Sequence, residues 1–399
     1  MRDADIVNRV RERRRWETDV RDVIIVGAGP VGALLAAELQ RRGLDVELLE
    51  RREVAGLGSR AVGVHPPVLA ALEASGTTER LLAGAVRVGR GEARSAGEVI
   101  GVVHFDRLAA RFPFVAMQPQ HRTEAALAVG GPAPVRGATV RAVRSAPDRV
   151  VVRVELAGAV AERAARLVVV ASGASGRTLV FRPDRAVARD YGDRYLMADA
   201  DVGERPDSNV AIVHLHRTGV LESFPLPGGR RRFVAWDRPG AEASGPARAD
   251  RLRRALDVRG EADAAGAISE AASFGVRRFV APSMRRGRVL VVGDAAHEVS
   301  PIGGQGMNLG LLDAVTLAPL LARWIATGRE PRSALARWER RRVASARVAA
   351  RLAHLNTALG RPRALPGDAA RRAALRLGLA PPLGELFAHA YAMGFDRDA

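Results

Sequence analysis

Residues Val23–Val26 form an uninterrupted apolar run, and a glycine-rich turn follows it. Apolar positions then recur at helical spacing from Pro30 to Arg42, Gly43 ends that segment, and Val46–Leu49 is again continuous and apolar. Short all-apolar runs on either side of an amphipathic stretch predict a βαβ unit and therefore a parallel sheet. Between Val135 and Val170 the texture changes to the β-type runs VRGATVRAV, RVVVRVEL and RLVVVAS. Further runs at Ala211–Leu215, Gly219–Pro225 and Arg232–Trp236 predict strands outside the βαβ pattern, which suit an antiparallel sheet in a second lobe. Residues Asp237–Ala272 are rich in alanine and charge and read as helical. Arg288–Val292 reads as a buried strand, followed by a glycine loop and a long helix from Met307 to Ala326. The remainder, to Ala399, reads as mostly helical, with breaks at Pro362–Pro366 and Pro381–Pro382. Residues 1–21 read as a charged arm, and no internal repeat is visible.

Composition narrows this picture. At 399 residues the chain suits two lobes sharing one site. Hydrophobic residues make up 47%, enough for a sizeable core. No uninterrupted apolar run reaches the ~18 residues that suggest a membrane span. The first residues lack the apolar stretch of a signal peptide. Cysteine is absent, which removes disulfides, thiolate chemistry and cysteine-based zinc sites together. A cytoplasmic protein without membrane or nucleic-acid partners, monomeric or homodimeric, is the expectation. The net charge of +18 does not alter it, because every one of the 62 basic residues is arginine and they are scattered. The local runs Arg13–Arg15, Arg230–Arg232 and Arg340–Arg342 are not interleaved with aromatics, as a nucleic-acid face would be.

Two glycine turns carry the chemistry. The first, Gly27-Ala-Gly29-Pro30-Val31-Gly32, is a GxGxxG between a strand and a helix. Gly27 permits the tight turn, Gly29 lets the backbone approach a pyrophosphate, and Gly32 permits close packing of helix on strand. The helix start offers free N–H groups and a positive dipole end. Glu50 ends the second strand about 20 residues on, where an acid accepts hydrogen bonds from a ribose. This motif predicts a dinucleotide but leaves NAD and FAD both open.

The second turn, Gly293-Asp294 through Pro301 and Gly304-Gln-Gly306-Met307-Asn308, follows a strand and opens a helix. Asp294 is placed to accept hydrogen bonds from a polyol chain such as ribityl. Gly304 and Gly306 let backbone lie against a flat ring. The N–H groups of Met307 and Asn308 would stabilise negative charge on a reduced flavin. FAD answers to this second turn better than NAD does.

With these residues in view, the chain resembles the group A flavoprotein monooxygenases, the p-hydroxybenzoate hydroxylase-like family that includes aromatic polyketide hydroxylases. GDAAHEVSPIGGQGMNLGLLDA is similar to that family's second FAD signature, and Arg60-Ala-Val-Gly-Val-His65 and Gln118-Pro-Gln120 resemble two further segments. Leu221–Pro227 and Phe274–Arg278 also have counterparts, so the likeness runs from Asp22 to Arg351. It implies that Arg51, Arg60 and Gln120 lie at the cofactor and that Pro301 roofs the oxygen-transfer site. It also implies an α/β architecture with a Rossmann-like FAD-binding lobe made of 22–78, 105–179 and 278–330. A substrate lobe would comprise 79–104 and 180–277, with a helical region at 331–399. The implied reaction uses NADPH or NADH to reduce FAD. O2 then delivers one oxygen atom, through a flavin C4a-hydroperoxide, to a small aromatic or polyketide-like substrate.

One departure stands out. Where the family has an Asp-Gly pair after a strand, this chain has Ser172-Gly173, and the following Ser and Arg are not cleanly matched. Serine keeps hydrogen bonding but carries no charge. The missing carboxylate leaves a non-catalytic flavin protein as one alternative, and an epoxidase, a Baeyer–Villiger enzyme and a reductase stand as others because the same scaffold would serve them. Three other features are read as structural. His214 and His216, on one face of a strand without nearby acids, suit a hydrogen-bond network, and no metal site is expected. His297 is read as structural rather than as a general base. Leu309, Leu312, Leu317, Leu320 and Leu321 form an ordinary helix core. No GxSxG elbow is present, so acyl transfer has no support.

Overall fold

The computed structural model describes residues 20–54, 56 and 61–396. Most of the N-terminal arm, and Arg60 with it, lies outside the described residues. Val20 and Arg21, expected in the arm, instead begin the first strand, Val20–Val26.

Four strands join this one in parallel. Val46–Glu50 lies on one side with Val135–Arg136 beyond it, and Ala159–Val170 lies on the other with Val289–Val291 beyond. Their apolar runs are continuous because helices cover the sheet, so neither face can be polar. The strand Ala159–Val170 also belongs to an antiparallel meander with Val150–Leu156 and Thr139–Ser145. Register sets where the parallel strands stop. Val26 pairs with both Leu49 and Val170, and Val170 pairs with Val291. The strands therefore end level, and the turns after Val26, Glu50, Val170 and Val291 emerge along one edge.

Helix Pro30–Arg41 is buried at every residue from Val31 to Leu39. Glu38 tolerates this because Arg41 and Arg42 both pair with it. The helix packs against Gln305–Thr327 so tightly that a Cβ at Gly310 would meet Val31 Cγ2 at 2.5 Å and Gly293 Cα at 3.0 Å. Helix Gln305–Thr327 is long and apolar enough to cross a bilayer. Here it serves as a core helix, with Leu309, Leu312, Leu317 and Leu321 fully buried against neighbouring elements. Each such side chain contributes about 1.5–3 kcal/mol of transfer free energy.

The second large sheet runs in the order His297–Glu298, Ala272–Val280, Arg189–Asp201, Arg230–Asp237, Gly219–Leu226, Val210–His216, Arg90–Ser95, Glu98–His104. All its pairings are antiparallel except that of Val210–His216 with Arg90–Ser95. A small third sheet pairs Gly63–Val64, Val115–Met117 and Val86–Val88 in that order. Helices Arg332–Gly360, Leu365–Leu379 and Leu383–Tyr391 come last, separated near the expected proline breaks.

The helical expectation for Asp237–Ala272 holds only in part. Helices occupy Gly245–Asp257 and Ala262–Gly266, whereas Asp237 ends a strand and Ala272 begins one. The long strand Arg189–Asp201 supplies the reason. It pairs Arg194 with Asp237 on one side and Met197 with Ala272 on the other, so the partner's hydrogen bonds override local alanine propensity.

Candidate functional site

The level ends of the parallel strands open onto one cavity of about 1150 Å³. Both glycine turns line it, and it continues across to the face of the antiparallel sheet. In the first turn, Gly27 has φ +106, and a Cβ there would lie 2.6 Å from Ser172 Cα. A Cβ at Gly32 would lie 1.9 Å from Gly27 O, so helix and turn touch backbone to backbone. Gly29 differs, because a Cβ there meets nothing within 4 Å. It faces the open cavity at the start of helix Pro30–Arg41, with Pro30 and Val31 beside it. That is the space and polarity a diphosphate requires.

Glu50 is almost fully buried at the cavity wall. Its Oε2 accepts Ala28 N–H at 2.9 Å, and its Oε1 accepts the Arg52 backbone N–H at 2.9 Å and Arg52 Nε at 3.0 Å. Burial alone would raise its pKa, but these bonds from Arg52 and Ala28 hold the carboxyl below its ordinary value. The carboxylate thus braces the glycine turn while remaining charged. Arg51 is exposed on the cavity rim. Gln120 starts a helix on the same wall and donates to Glu124 at 2.7 Å.

In the second turn, Asp294 is exposed toward the cavity, and its carbonyl accepts Arg177 Nη2 at 2.9 Å. Pro301, Gly304, Gly306 and Met307 all line the cavity. The helix begins at Gln305 with Gly304 at its cap, φ +69. Its free N–H groups are therefore those of Gln305, Gly306 and Met307, and the expectation for Asn308 is corrected. Asn308 lies in the first complete turn and is fully buried behind the wall. Its side chain accepts His65 N–H at 2.9 Å and donates to Gly63 O at 2.9 Å and Gly304 O at 3.1 Å. It joins the second turn to the segment ending in His65, which is why a polar residue survives there.

His297 is structural, as its sequence context suggests. Its Nε2 lies 2.6 Å from Asp313 Oδ2, which also accepts Gly293 N–H at 3.0 Å. Asp313 Oδ1 accepts Arg342 Nε at 2.8 Å, and Arg342 reaches Asp396 at 2.7 Å. Burial opposes ionisation of Asp313, yet His297 and Arg342 outweigh it and hold the pKa low. The chain of charges ties the turn at Gly293 to the C-terminal region. His214 lies 3.2 Å from Glu261, and His216 Nδ1 lies 2.8 Å from Thr218 Oγ1, which places both in polar networks. No cluster of three or more metal-ligating side chains occurs among the described residues.

The surroundings of several site groups emerge only in the folded chain. Buried Arg177 bonds Glu298 at 2.6 Å and lies 4.3 Å from the Phe279 ring centroid, locking the turn after Ser172 onto the turn after Gly293. Among the described residues, Ser172 Oγ is buried without a hydrogen-bond partner, close against Gly176. His65 lines the cavity, and burial drives its pKa down to about 4, so it is neutral. Tyr391, on the last helix, donates to Asn356 at 2.5 Å. Glu222 is buried on the antiparallel face of the cavity, and burial pushes its carboxyl up to about 8. His65 and Glu222 lie in segments that resemble the family, but burial cannot be read from a segment alone.

The fit to FAD is good. A glycine cradle at a helix start suits the diphosphate, a braced acid the ribose, and a second helix start an anionic ring edge. Comparison with known proteins agrees. A protein family described as FAD binding domain matches residues 20–353. The 6-methylpretetramide 4-monooxygenase of Streptomyces rimosus is 33% identical over 326 residues, 77% of this chain. The chain spans little more than half of that relative, 56% of its length. The solved structure of the OxyS anhydrotetracycline hydroxylase from Streptomyces rimosus is 27% identical with a TM-score of 0.76, covering 94% of this chain and 76% of that one. For fold alone, p-nitrophenol 4-monooxygenase PnpA from Pseudomonas putida aligns with a TM-score of 0.81 at 21% identity, over 95% of this chain and 99% of its own. Since the family match takes in both glycine turns and the strands that level them, the chain belongs to the FAD-binding-domain family, in its p-hydroxybenzoate hydroxylase-like group, and its cofactor is FAD.

Proposed function

We propose that this protein is an FAD-dependent monooxygenase, using NADPH or NADH and O2 to place one oxygen atom on a small aromatic or polyketide-like substrate. The observation that carries this reading is the continuity of the cavity. One space of about 1150 Å³ joins the two glycine turns to an apolar wall on the antiparallel sheet, so cofactor and substrate share it. Bound FAD supplies the redox and oxygen-activating chemistry. The chain supplies position and exclusion of water. Gly27, Gly29, Pro30 and Val31 receive the diphosphate, Glu50 the ribose, and Arg51 and Gln120 the outer edge of the cofactor. Asp294 receives the polyol, and the N–H groups from Gln305 to Met307 stabilise charge at the ring. Pro301 roofs the point of transfer. In domain terms, 22–78, 105–179 and 278–330 hold the cofactor, 79–104 and 180–277 the substrate, and 331–399 closes over both.

The test is incubation of the yellow protein with NADPH and isotopically labelled O2 in the presence of a phenolic polycyclic compound. A product heavier by one labelled oxygen supports the reading. NADPH consumption that yields only an unlabelled, reduced product refutes it. A flavoprotein poorly reduced by nicotinamide is the second reading, favoured by the uncharged, unpartnered Ser172. Anaerobic stopped-flow reduction by NADPH, with and without the compound, separates the two.

A further inference from the structure

Glu222 is left without a task once the cofactor and the structural networks have been assigned. It is 5% exposed in the middle of strand Gly219–Leu226 and lines the cavity. Among the described residues its carboxyl has no hydrogen-bond or ion-pair partner. Register defines its surroundings. Met197, Val234, Glu222, Val213 and Ala93 are successive cross-strand neighbours in one row over five strands. All five line the cavity, and Glu222 is the one polar side chain in the row. Val220 and Phe224 flank it along the strand, and Leu359, Leu379 and Phe387 of the C-terminal helices line the same cavity.

An unpartnered carboxyl in an apolar wall is costly, because desolvation is not offset by any bond. A bound molecule can provide that bond. The surrounding charges define what kind of molecule. Arg232, in the neighbouring row, is closed into a two-point pair with Asp199 at 2.6 and 2.8 Å. Arg231 points to the opposite face and donates to Ser223 O and Val210 O. Of the arginines on the cavity wall, Arg51, Arg52 and Arg141 come from the first sheet or its edge, and Arg277 is paired with Glu298 at 3.2 Å. Among the described residues, no free cation therefore stands beside Glu222 to receive an anionic substrate.

We propose that Glu222 is the specificity-determining residue of the substrate wall: its carboxyl donates a hydrogen bond to a carbonyl or phenolic oxygen of a neutral, otherwise apolar polycyclic substrate and disfavours substrates bearing a carboxylate there. This rests on the oxygenase reading for the identity of the cavity's occupant. Burial keeps the carboxyl in its donor form at neutral pH. The groups facing it are Tyr195 from strand Arg189–Asp201, Tyr391 from helix Leu383–Tyr391, and the Arg232–Asp199 pair. Burial raises both tyrosines, Tyr391 to about 12, so neither titrates alongside Glu222. Val213 and Val234 are its cross-strand neighbours, and Leu355, Asn356, Leu359, Leu375 and Leu379 of the other two C-terminal helices line the same cavity.

The experiment is calorimetric titration of the FAD-loaded protein, its flavin content verified by absorbance, with 2-(hydroxymethyl)anthraquinone and anthraquinone-2-carboxylate. The wild type is expected to bind the neutral compound at least ~10-fold more tightly, the equivalent of one well-formed buried hydrogen bond. Glu222→Leu should weaken binding of the neutral compound by a similar factor, because it removes the donor while the apolar wall still excludes the carboxylate. Glu222→Gln, which keeps a donor and the shape, should retain the preference. Between pH 6.5 and 9.5 the wild type should lose affinity for the neutral compound while Glu222→Gln stays level. Preference for the carboxylate, unchanged binding in Glu222→Leu, a shared pH profile, or binding of neither compound overturns the proposal. The titrations read binding alone. A failure to insert oxygen would therefore appear in the labelled-O2 assay and leave these results standing.

Discussion

Replacing Gly29 by alanine separates what the first glycine turn does for the cofactor from what it does for the fold. Gly29 has φ −74 and ψ −178, extended backbone that alanine adopts freely, and an added Cβ meets nothing within 4 Å. The fold should lose only the small preference for glycine over alanine at a helix cap, under about 1 kcal/mol, or about 2 °C in Tm. The same methyl would project into the space proposed for the diphosphate. Overpacking of a close contact is worth about 1–3 kcal/mol, so FAD should bind roughly 5- to 150-fold more weakly. Gly32→Ala is the control, because its Cβ would lie 1.9 Å from Gly27 O and must displace backbone. It should lower the Tm of the apoprotein clearly more than Gly29→Ala does. Apoprotein melting and FAD titration by flavin fluorescence measure the two effects. If Gly29→Ala binds FAD as tightly as the wild type, or destabilises the apoprotein as much as Gly32→Ala, the assignment of Gly29 to the phosphates is wrong.

Buried charge gives two further expected outcomes. Asp313→Asn removes the anion shared by His297 and Arg342. It should destabilise the protein by about 3–5 kcal/mol in urea unfolding, and an unchanged midpoint would show that the network is not cooperative. Because the folded pKa of Asp313 is depressed, its contribution is present above the unfolded value and fades as pH falls through the lower folded one. The wild type should therefore show an acid limb that Asp313→Asn flattens. For Glu222 the sign reverses. Its folded pKa is raised to about 8 from 4.5, so the native state keeps a proton that the unfolded chain releases. Native stability should fall as pH rises through that window, by up to about 1.4 kcal/mol per pH unit, and Glu222→Gln should remove this slope in urea titrations at pH 5 and 8.

Sequence and structure agree wherever neighbours in the chain govern the geometry. The strand at Val23–Val26, the glycine turn, the helix from Pro30 and the acid at Glu50 lie within about 30 residues, and their arrangement follows from local sterics and hydrogen bonding. The second turn from Gly293 to Met307 is legible for the same reason, apart from the helix beginning at Gln305 rather than Met307. The strand Ala272–Val280 escapes a local reading because its alanine-rich start resembles helix until Arg189–Asp201 is there to pair with it. Arg340–Arg342 looks like a solvated basic run, yet Arg342 is fully buried between Asp313 and Asp396. Nothing within a few residues of Arg342 announces two acids that come from another helix and from the segment beyond Tyr391.

What the amino-acid order determined alone is thus the pair of glycine turns, the class of cofactor they suit, and the α/β alternation that carries them. Only the tertiary structure decided that the turns share one cavity, that Asn308 is a brace, that His297 pairs with Asp313, and that Glu222 stands alone in an apolar row. The physical reason is register. Level strand ends bring Val26, Val170 and Val291 side by side from distant parts of the chain, and one residue of slip in Gly219–Leu226 would turn Glu222 to the opposite face.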